Sequence, residues 1–165
     1  TSILEHHHLS IAVRLLQDYL IFDRSEINSN DDFWSLLTDL VISTDCSQFE
    51  NFLLEFNKTA RSFDKEDQDN INQLAKLLIQ IANFGTCFKS FDILKRQVEA
   101  IITEKNRQNE ELKERGLEQI VIKPMKQFEL SFIDVFVKPL VDGLIEIVPN
   151  SRFLSDTIIK NVKKN

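Results

Sequence analysis

Glycine and proline are scarce in this sequence, three of each among 165 residues, so few positions force a sharp reversal or a helix stop. That scarcity points to long helices. Cysteine is nearly absent too. Cys46 and Cys87 are too few and too far apart for a disulfide framework, and neither has a second Cys or His at zinc spacing. They read as reduced thiols in partly buried helices. No apolar run approaches the ~20 residues that a membrane helix needs. An excess of positive charge is also missing. Lys and Arg number 20 against 26 Asp and Glu, a net charge of −6, and the basic residues are scattered apart from Lys160, Lys163 and Lys164. That argues against a surface for nucleic acid, which needs clustered cations to neutralise phosphates. The sequence begins at Thr1 without Met, which reads as an internal start and leaves targeting uninformed.

What is present is helical period almost throughout, and the composition, 42% hydrophobic, is that of a soluble globular chain. Leu4, Leu9, Ala12, Val13, Leu16 and Tyr19, with Leu15 and Leu20, form a broad apolar face at helical spacing. Asn30-Asp31-Asp32 starts a second helix carrying Phe33, Leu36, Leu37, Leu40 and Val41. A third begins near Ser43–Asp45 and carries Phe49, Phe52, Leu53 and Phe56. The polar stretch from Asn57 to Asp69 predicts a loop, followed by a stripe of Ile71, Leu74, Leu77, Leu78 and Ile81. A long helix is expected from Phe88 to Glu114, stopped at Gly116, with Lys113 and Arg115 suited to the negative end of its dipole. Another runs from Phe128 to Val148 with a kink at Pro139. A short one starts at Ser151-Arg152-Phe153-Leu154. No strand pattern, repeat or low-complexity segment stands out. The fold class is all-α, a multi-helix bundle, one domain by length.

His6-His7-His8 invites a metal reading, but successive residues on a helix point about 100° apart, so three imidazoles in a row cannot converge on one ion. Only Glu5 with His8 has the i, i+3 spacing that ligands on a helix want. Asp45, Glu129 and Asp134 could be read as paired carboxylates, yet nothing in their spacing makes them meet, and solvated charge is the simpler reading. Glu99, Glu104, Glu110, Glu111 and Glu114, with Lys105, Arg107, Lys113 and Arg115, read as an exposed salt-bridged helix or a protein-contact face.

Three segments carry more. They are Ser2-Ile3-Leu4-Glu5-His6-His7-His8-Leu9, then Glu114-Arg115-Gly116-Leu117 leading to Ile122-Lys123-Pro124-Met125, then Phe132-Ile133-Asp134-Val135-Phe136-Val137-Lys138-Pro139-Leu140. In this order they resemble the second part of the catalytic domain of class I cyclic-nucleotide phosphodiesterases. The family reads Ser-Val-Leu-Glu-Asn-His-His-Leu, Glu-Arg-Gly with Ile-Ser-Pro-Met, and Gly-Phe-Ile-Asp with Pro-Leu. The resemblance covers nearly the whole chain. It implies that residues 1–165 are the C-terminal part of one such domain, incomplete on its N-terminal side.

The resemblance also implies a site. In the family, two divalent metals (Zn and Mg) held by two His and two Asp activate a bridging hydroxide against the cyclic phosphate. Most of those ligands lie in motifs upstream of Thr1. Glu5 matches a carboxylate near the bridging water that is not itself a metal ligand. Aligned back from Glu114-Arg115-Gly116, the family's His-x-Ala-Asp-Leu-Ser-Asn falls on Gln80-Ile81-Ala82-Asn83-Phe84-Gly85-Thr86. The ligand Asp is therefore Asn83, the neighbouring His is Gln80, and the purine-contacting Asn is Thr86. A neutral amide holds a hard cation far more weakly than a carboxylate. The selectivity Gln corresponds to Glu129, which as a carboxylate can only accept hydrogen bonds. The apolar clamp on the base maps to Phe132 and Ile101, and the loop between Met125 and Glu129 is shorter than in the family.

The expectation is thus a phosphodiesterase-like domain without catalytic residues or metals, acting as a structural or protein-binding module. A protein partner, or the remainder of the same polypeptide, would cover its N-terminal side. Two alternatives stand beside it: an active phosphodiesterase for cAMP or cGMP with its metal motifs upstream, and a sensor that binds cyclic nucleotide without hydrolysis. The expected location is intracellular, in the cytoplasm.

Overall fold

A computed structural model describes residues 2–19, 31–122 and 124–164, without the side chains of Met125, Lys126, Phe128, Glu129 and Lys164. Leu20, Asn30 and Lys123, each part of an expected element or motif, lie outside the described residues. Those described are helical with no strand, as the apolar period requires. No described helix is long and apolar enough to cross a membrane. The chain resolves into two compact units, residues 1–83 and 84–165.

The first unit holds α1 (Ile3–Asp18), α2 (Asp31–Ile42), a 3₁₀ turn at Cys46–Gln48, α3 (Phe49–Ala60) and α4 (Gln68–Asn83). α1 packs along α2, and α2 and α3 both pack on α4. Asp31 and Asp32 sit in the first turn of α2, where negative charge suits the helix dipole. Phe49 and Phe56 on α3 are buried, with Phe52 stacked on Phe56 at 5.8 Å, and α4 buries Leu77 and Ile81. Lys76 on α4 reaches Asp39 on α2 at 2.8 Å. The polar stretch is a turn after Ala60, where Asp64 and Asp67 accept the N–H groups of Glu66 and Asp69 at 2.9 and 2.8 Å. The apolar face expected on α1 is only partly covered. Leu9, Ala12, Val13 and Leu16 are half-buried, whereas Leu4, Leu15 and Tyr19 are exposed, and no α1 residue is buried.

The second unit follows with a 3₁₀ turn at Gly85–Phe88, α5 (Phe91–Glu114), α6 (Met125–Phe132), a π-helical turn at Ile133–Val137, α7 (Lys138–Ile147), a 3₁₀ turn at Pro149–Arg152 and α8 (Phe153–Lys164). Its core joins Cys87, Leu94, Val98, Ile133, Val137, Val141 and Ile158. Asn161, 4% exposed, donates from Nδ2 to the carbonyls of Cys87 and Lys89 at 3.1 and 3.0 Å. One amide thus satisfies two backbone groups at the end of the 3₁₀ turn, where burial without a partner would be costly.

α5 begins three residues later than expected, because Gly85–Phe88 closes its own turn and Ser90 is extended. Its end is the expected one. Gly116 adopts φ +68°, its N–H bonds the Lys113 carbonyl at 3.0 Å, and the Leu117 N–H bonds that of Leu112 at 2.9 Å. This paired closure needs a left-handed residue, which glycine supplies without strain. Asn109 then holds the outgoing chain, exchanging two hydrogen bonds with the backbone of Ile120 at 2.6 and 2.8 Å.

Two expectations change around Pro139. The segment after Met125 is helical from its first residue, not a loop. The interruption that Pro139 imposes appears as a π-helical turn just before it, where the Lys138 N–H bonds the Ile133 carbonyl five residues back. Pro139 has no N–H and its ring would collide with the carbonyl four residues earlier, so widening the preceding turn relieves both problems.

Candidate functional site

Glu5 lies in the first turn of α1 and is half-buried. The start of that helix is tethered by Asp45, whose Oδ2 accepts the Ser2 hydroxyl at 2.6 Å while Oδ1 accepts the Ser47 N–H at 2.8 Å. The Ser2 bond, then those from Ser47, hold the Asp45 carboxyl below its ordinary value of 3.8. Next to it the Cys46 thiol is pushed up, first by desolvation and then by the charges of Asp45 and Glu5. Glu5 therefore lies within electrostatic reach of Cys46, a pairing no sequence motif announced. His6, His7 and His8 are exposed and fan out around α1, with the His7 and His8 rings 6.4 Å apart.

At the other end of the first unit, Asn83 is the last residue of α4 and is exposed. Gln80, one turn earlier, is 3% exposed, and its Nε2 has no hydrogen-bond partner. Among the described residues, no three His, Cys, Asp or Glu side chains gather closely enough to hold a metal ion. Asn83 is thus an exposed neutral amide, and one turn earlier stands a buried amide whose unpaired atom is a donor. A donor faces a cation unfavourably. Neither amide supplies the negative charge that a hard divalent cation favours.

In the second unit, Thr86 is half-buried in the 3₁₀ turn, and Ile101 is half-buried on α5. Glu129 lies on α6 with its side chain outside the described residues. Phe132 is half-buried and belongs to an aromatic cluster. Its ring is perpendicular to that of Phe84, at 89° with centroids 5.2 Å apart, and lies 5.4 Å from Phe136, while Phe84 and Phe136 are 6.3 Å apart. Phe132 packs against the core of this unit together with Ile102, the neighbour of the expected Ile101. The spacing of Phe132 and Phe136 was a visible signal for their pairing. Phe84 lies 48 positions upstream of Phe132, and no local pattern links it to either ring. Asp134, in the π-turn, is exposed, and Asp45 accepts hydrogen bonds from Ser2 and Ser47.

Residues 1–158 match the 3'5'-cyclic nucleotide phosphodiesterase family. The chain belongs to that family. It is similar to a probable 3',5'-cyclic-AMP phosphodiesterase of Caenorhabditis elegans, 27% identical over 97% of this chain and 26% of that protein. It is also similar to a high-affinity cGMP-specific 3',5'-cyclic phosphodiesterase of Drosophila melanogaster, 28% identical over 98% of this chain and 11% of that protein. It thus spans about a quarter or less of the length of these relatives. Its fold is that of the phosphodiesterase domain of the RhoPDE fusion protein from the choanoflagellate Salpingoeca rosetta, with a TM-score of 0.81 at 24% identity over 99% of this chain and 55% of that one.

Proposed function

We propose that residues 1–165 are the C-terminal part of a phosphodiesterase-like catalytic domain that has lost its hydrolytic chemistry and serves as a structural or protein-binding module. The observation that carries this reading is the pair Asn83 and Gln80. The position expected to supply a charged metal ligand holds an exposed neutral amide, and its neighbour is a buried amide with an unpartnered donor. In phosphodiester hydrolysis the ions supply the nucleophile and stabilise the developing charge, so weakening their seat removes most of the chemistry. Glu5 is kept, and Phe132 and Ile101 remain apolar at the base-stacking positions. Thr86 and Glu129 depart from the family at the positions that read the purine edge.

The N-terminal side is the natural seat for whatever completes the domain. Leu4, Ile11 and Leu15, 59%, 41% and 46% exposed, share one face of α1. Burying each fully would contribute about 1.5–3 kcal/mol. The similar solved domain is nearly twice as long as the part this chain matches, so we assign this face to the further helices of the same domain.

The test is turnover. The relatives are named for cAMP and for cGMP, so both nucleotides are supplied to the full-length polypeptide with Mg²⁺ or Mn²⁺. No hydrolysis above background is expected for either. Robust hydrolysis of one would overturn the reading. Residues 1–165 expressed alone should be poorly soluble or melt without cooperativity, and a well-behaved monomer with a sharp transition would refute the assignment of the α1 face.

A further inference from the structure

We propose that Phe84 is a built-in plug: its ring occupies the place on Phe132 that a planar base would take, so this chain excludes cyclic nucleotide sterically as well as by its missing charge. The proposal deepens the functional reading above and rests on its assignment of Phe132 to the base-stacking position.

The geometry is specific. Phe84 is the first residue of the second unit, placed between the end of α4 at Asn83 and the 3₁₀ turn at Gly85–Phe88. Its ring stands perpendicular to that of Phe132, 89° at 5.2 Å, within the range where an aromatic edge and face attract. Phe136 closes the group from the π-helical turn, 5.4 Å from Phe132 and 6.3 Å from Phe84. A purine stacking on Phe132 needs an unobstructed ring face at a comparable centroid distance. Phe84 and Phe136 both contact that ring, and Phe136 is fixed beside it by the same helix. Phe84 enters from a separate segment, so it is the ring whose removal frees Phe132 without disturbing its own helix. Phe84 and Phe132 also pack against the unit's core, so the plug is held in place rather than swinging free.

Fluorescent N-methylanthraniloyl-cAMP and -cGMP are titrated into the full-length polypeptide, as wild type, Phe84→Leu, Phe136→Leu and the double variant Phe84→Leu/Phe132→Ala. Melting curves check that each remains folded. The expected result is that Phe84→Leu binds about ten-fold more tightly than wild type, the scale of one aromatic contact. Phe136→Leu should stay close to wild type, and the double variant should lose the gain. Should Phe84→Leu melt early, Phe84→Met carries the same test, since its flexible side chain fills space without a ring. A folded variant at position 84 with unchanged affinity overturns the proposal, as does a gain that survives Phe132→Ala. Turnover of unlabelled cAMP or cGMP, measured on the same samples, reports separately on the loss of catalysis. Wild-type hydrolysis would show that nucleotide enters past Phe84 and would remove both the plug and the pseudoenzyme, whereas no turnover with an affinity independent of position 84 would remove the plug alone.

Discussion

The two units of this chain bury their residues differently. Residues 84–165 build a core of their own, in which α5, the π-helical turn, α7 and α8 each contribute buried apolar side chains. Residues 1–83 contain two helices, α1 and α2, with no buried residue, and their buried set is confined to α3 and α4. The site residues divide along the same line. Of the proposed site positions, Glu5, Gln80 and Asn83 fall in the first unit, and two of these three are amides. Thr86, Ile101, Glu129 and Phe132 fall in the second.

The sharpest way to test that contrast is to truncate one apolar side chain in each unit. Ile133, 2% exposed in the core of the second, should cost about 2–5 kcal/mol as Ile133→Ala, from lost transfer energy and the cavity left behind. Leu15→Ala on α1, a side chain 46% exposed within residues 1–165, should cost less than Ile133→Ala in the full-length polypeptide. Denaturant unfolding of both variants decides the matter. Equal costs would mean that α1 is as well packed as the core.

The fold was legible in the sequence because apolar period and the placement of Gly116 and Pro139 act locally. Helix existence, the Gly116 stop and the polar turn after Ala60 all follow from residues within a few positions of one another. What escaped was non-local or set by competing backbone bonds. Nothing near Phe84 announces its contact with Phe132, and the bond from Ser2 to Asp45 spans 43 positions. The Pro139 interruption was expected as a kink, and its form as a π-helical turn depends on which carbonyl the Lys138 N–H finds. Of the candidate site, residue identities were readable by resemblance. Exposure was not, and the burial of Gln80 with an unpaired donor came only from the structure.

Two buried amides sharpen the comparison at a smaller scale, with opposite signs. Asn161 in the second unit satisfies two carbonyls, so Asn161→Ala should cost about 1–3 kcal/mol by leaving them without that donor. Gln80 in the first unit leaves Nε2 unpaired, so Gln80→Leu should be neutral or stabilising, because it removes a buried donor and keeps the volume. Thermal melts of the two variants read both signs. A clear loss of stability in Gln80→Leu would show that its amide is used.

The smallest effect expected is electrostatic and belongs to the first unit. Asp45 is held below its ordinary value of 3.8 chiefly by the Ser2 hydroxyl, then by Ser47. A carboxyl with a lower pKa in the folded chain than in the unfolded one favours folding while it is ionised. That contribution is complete at pH values above 3.8 and fades as pH falls through the folded value. Asp45→Asn should therefore melt below wild type at pH 7, and the gap should close on acidification. Ser2→Ala should reproduce part of the gap, because the bond it removes is the largest contribution. The group is close to solvent, so the effect should be small and weaken in high salt. A gap between wild type and Asp45→Asn that stays constant from pH 7 down to pH 3 would show that the contact acts through shape alone, and that the start of α1 is not anchored by charge.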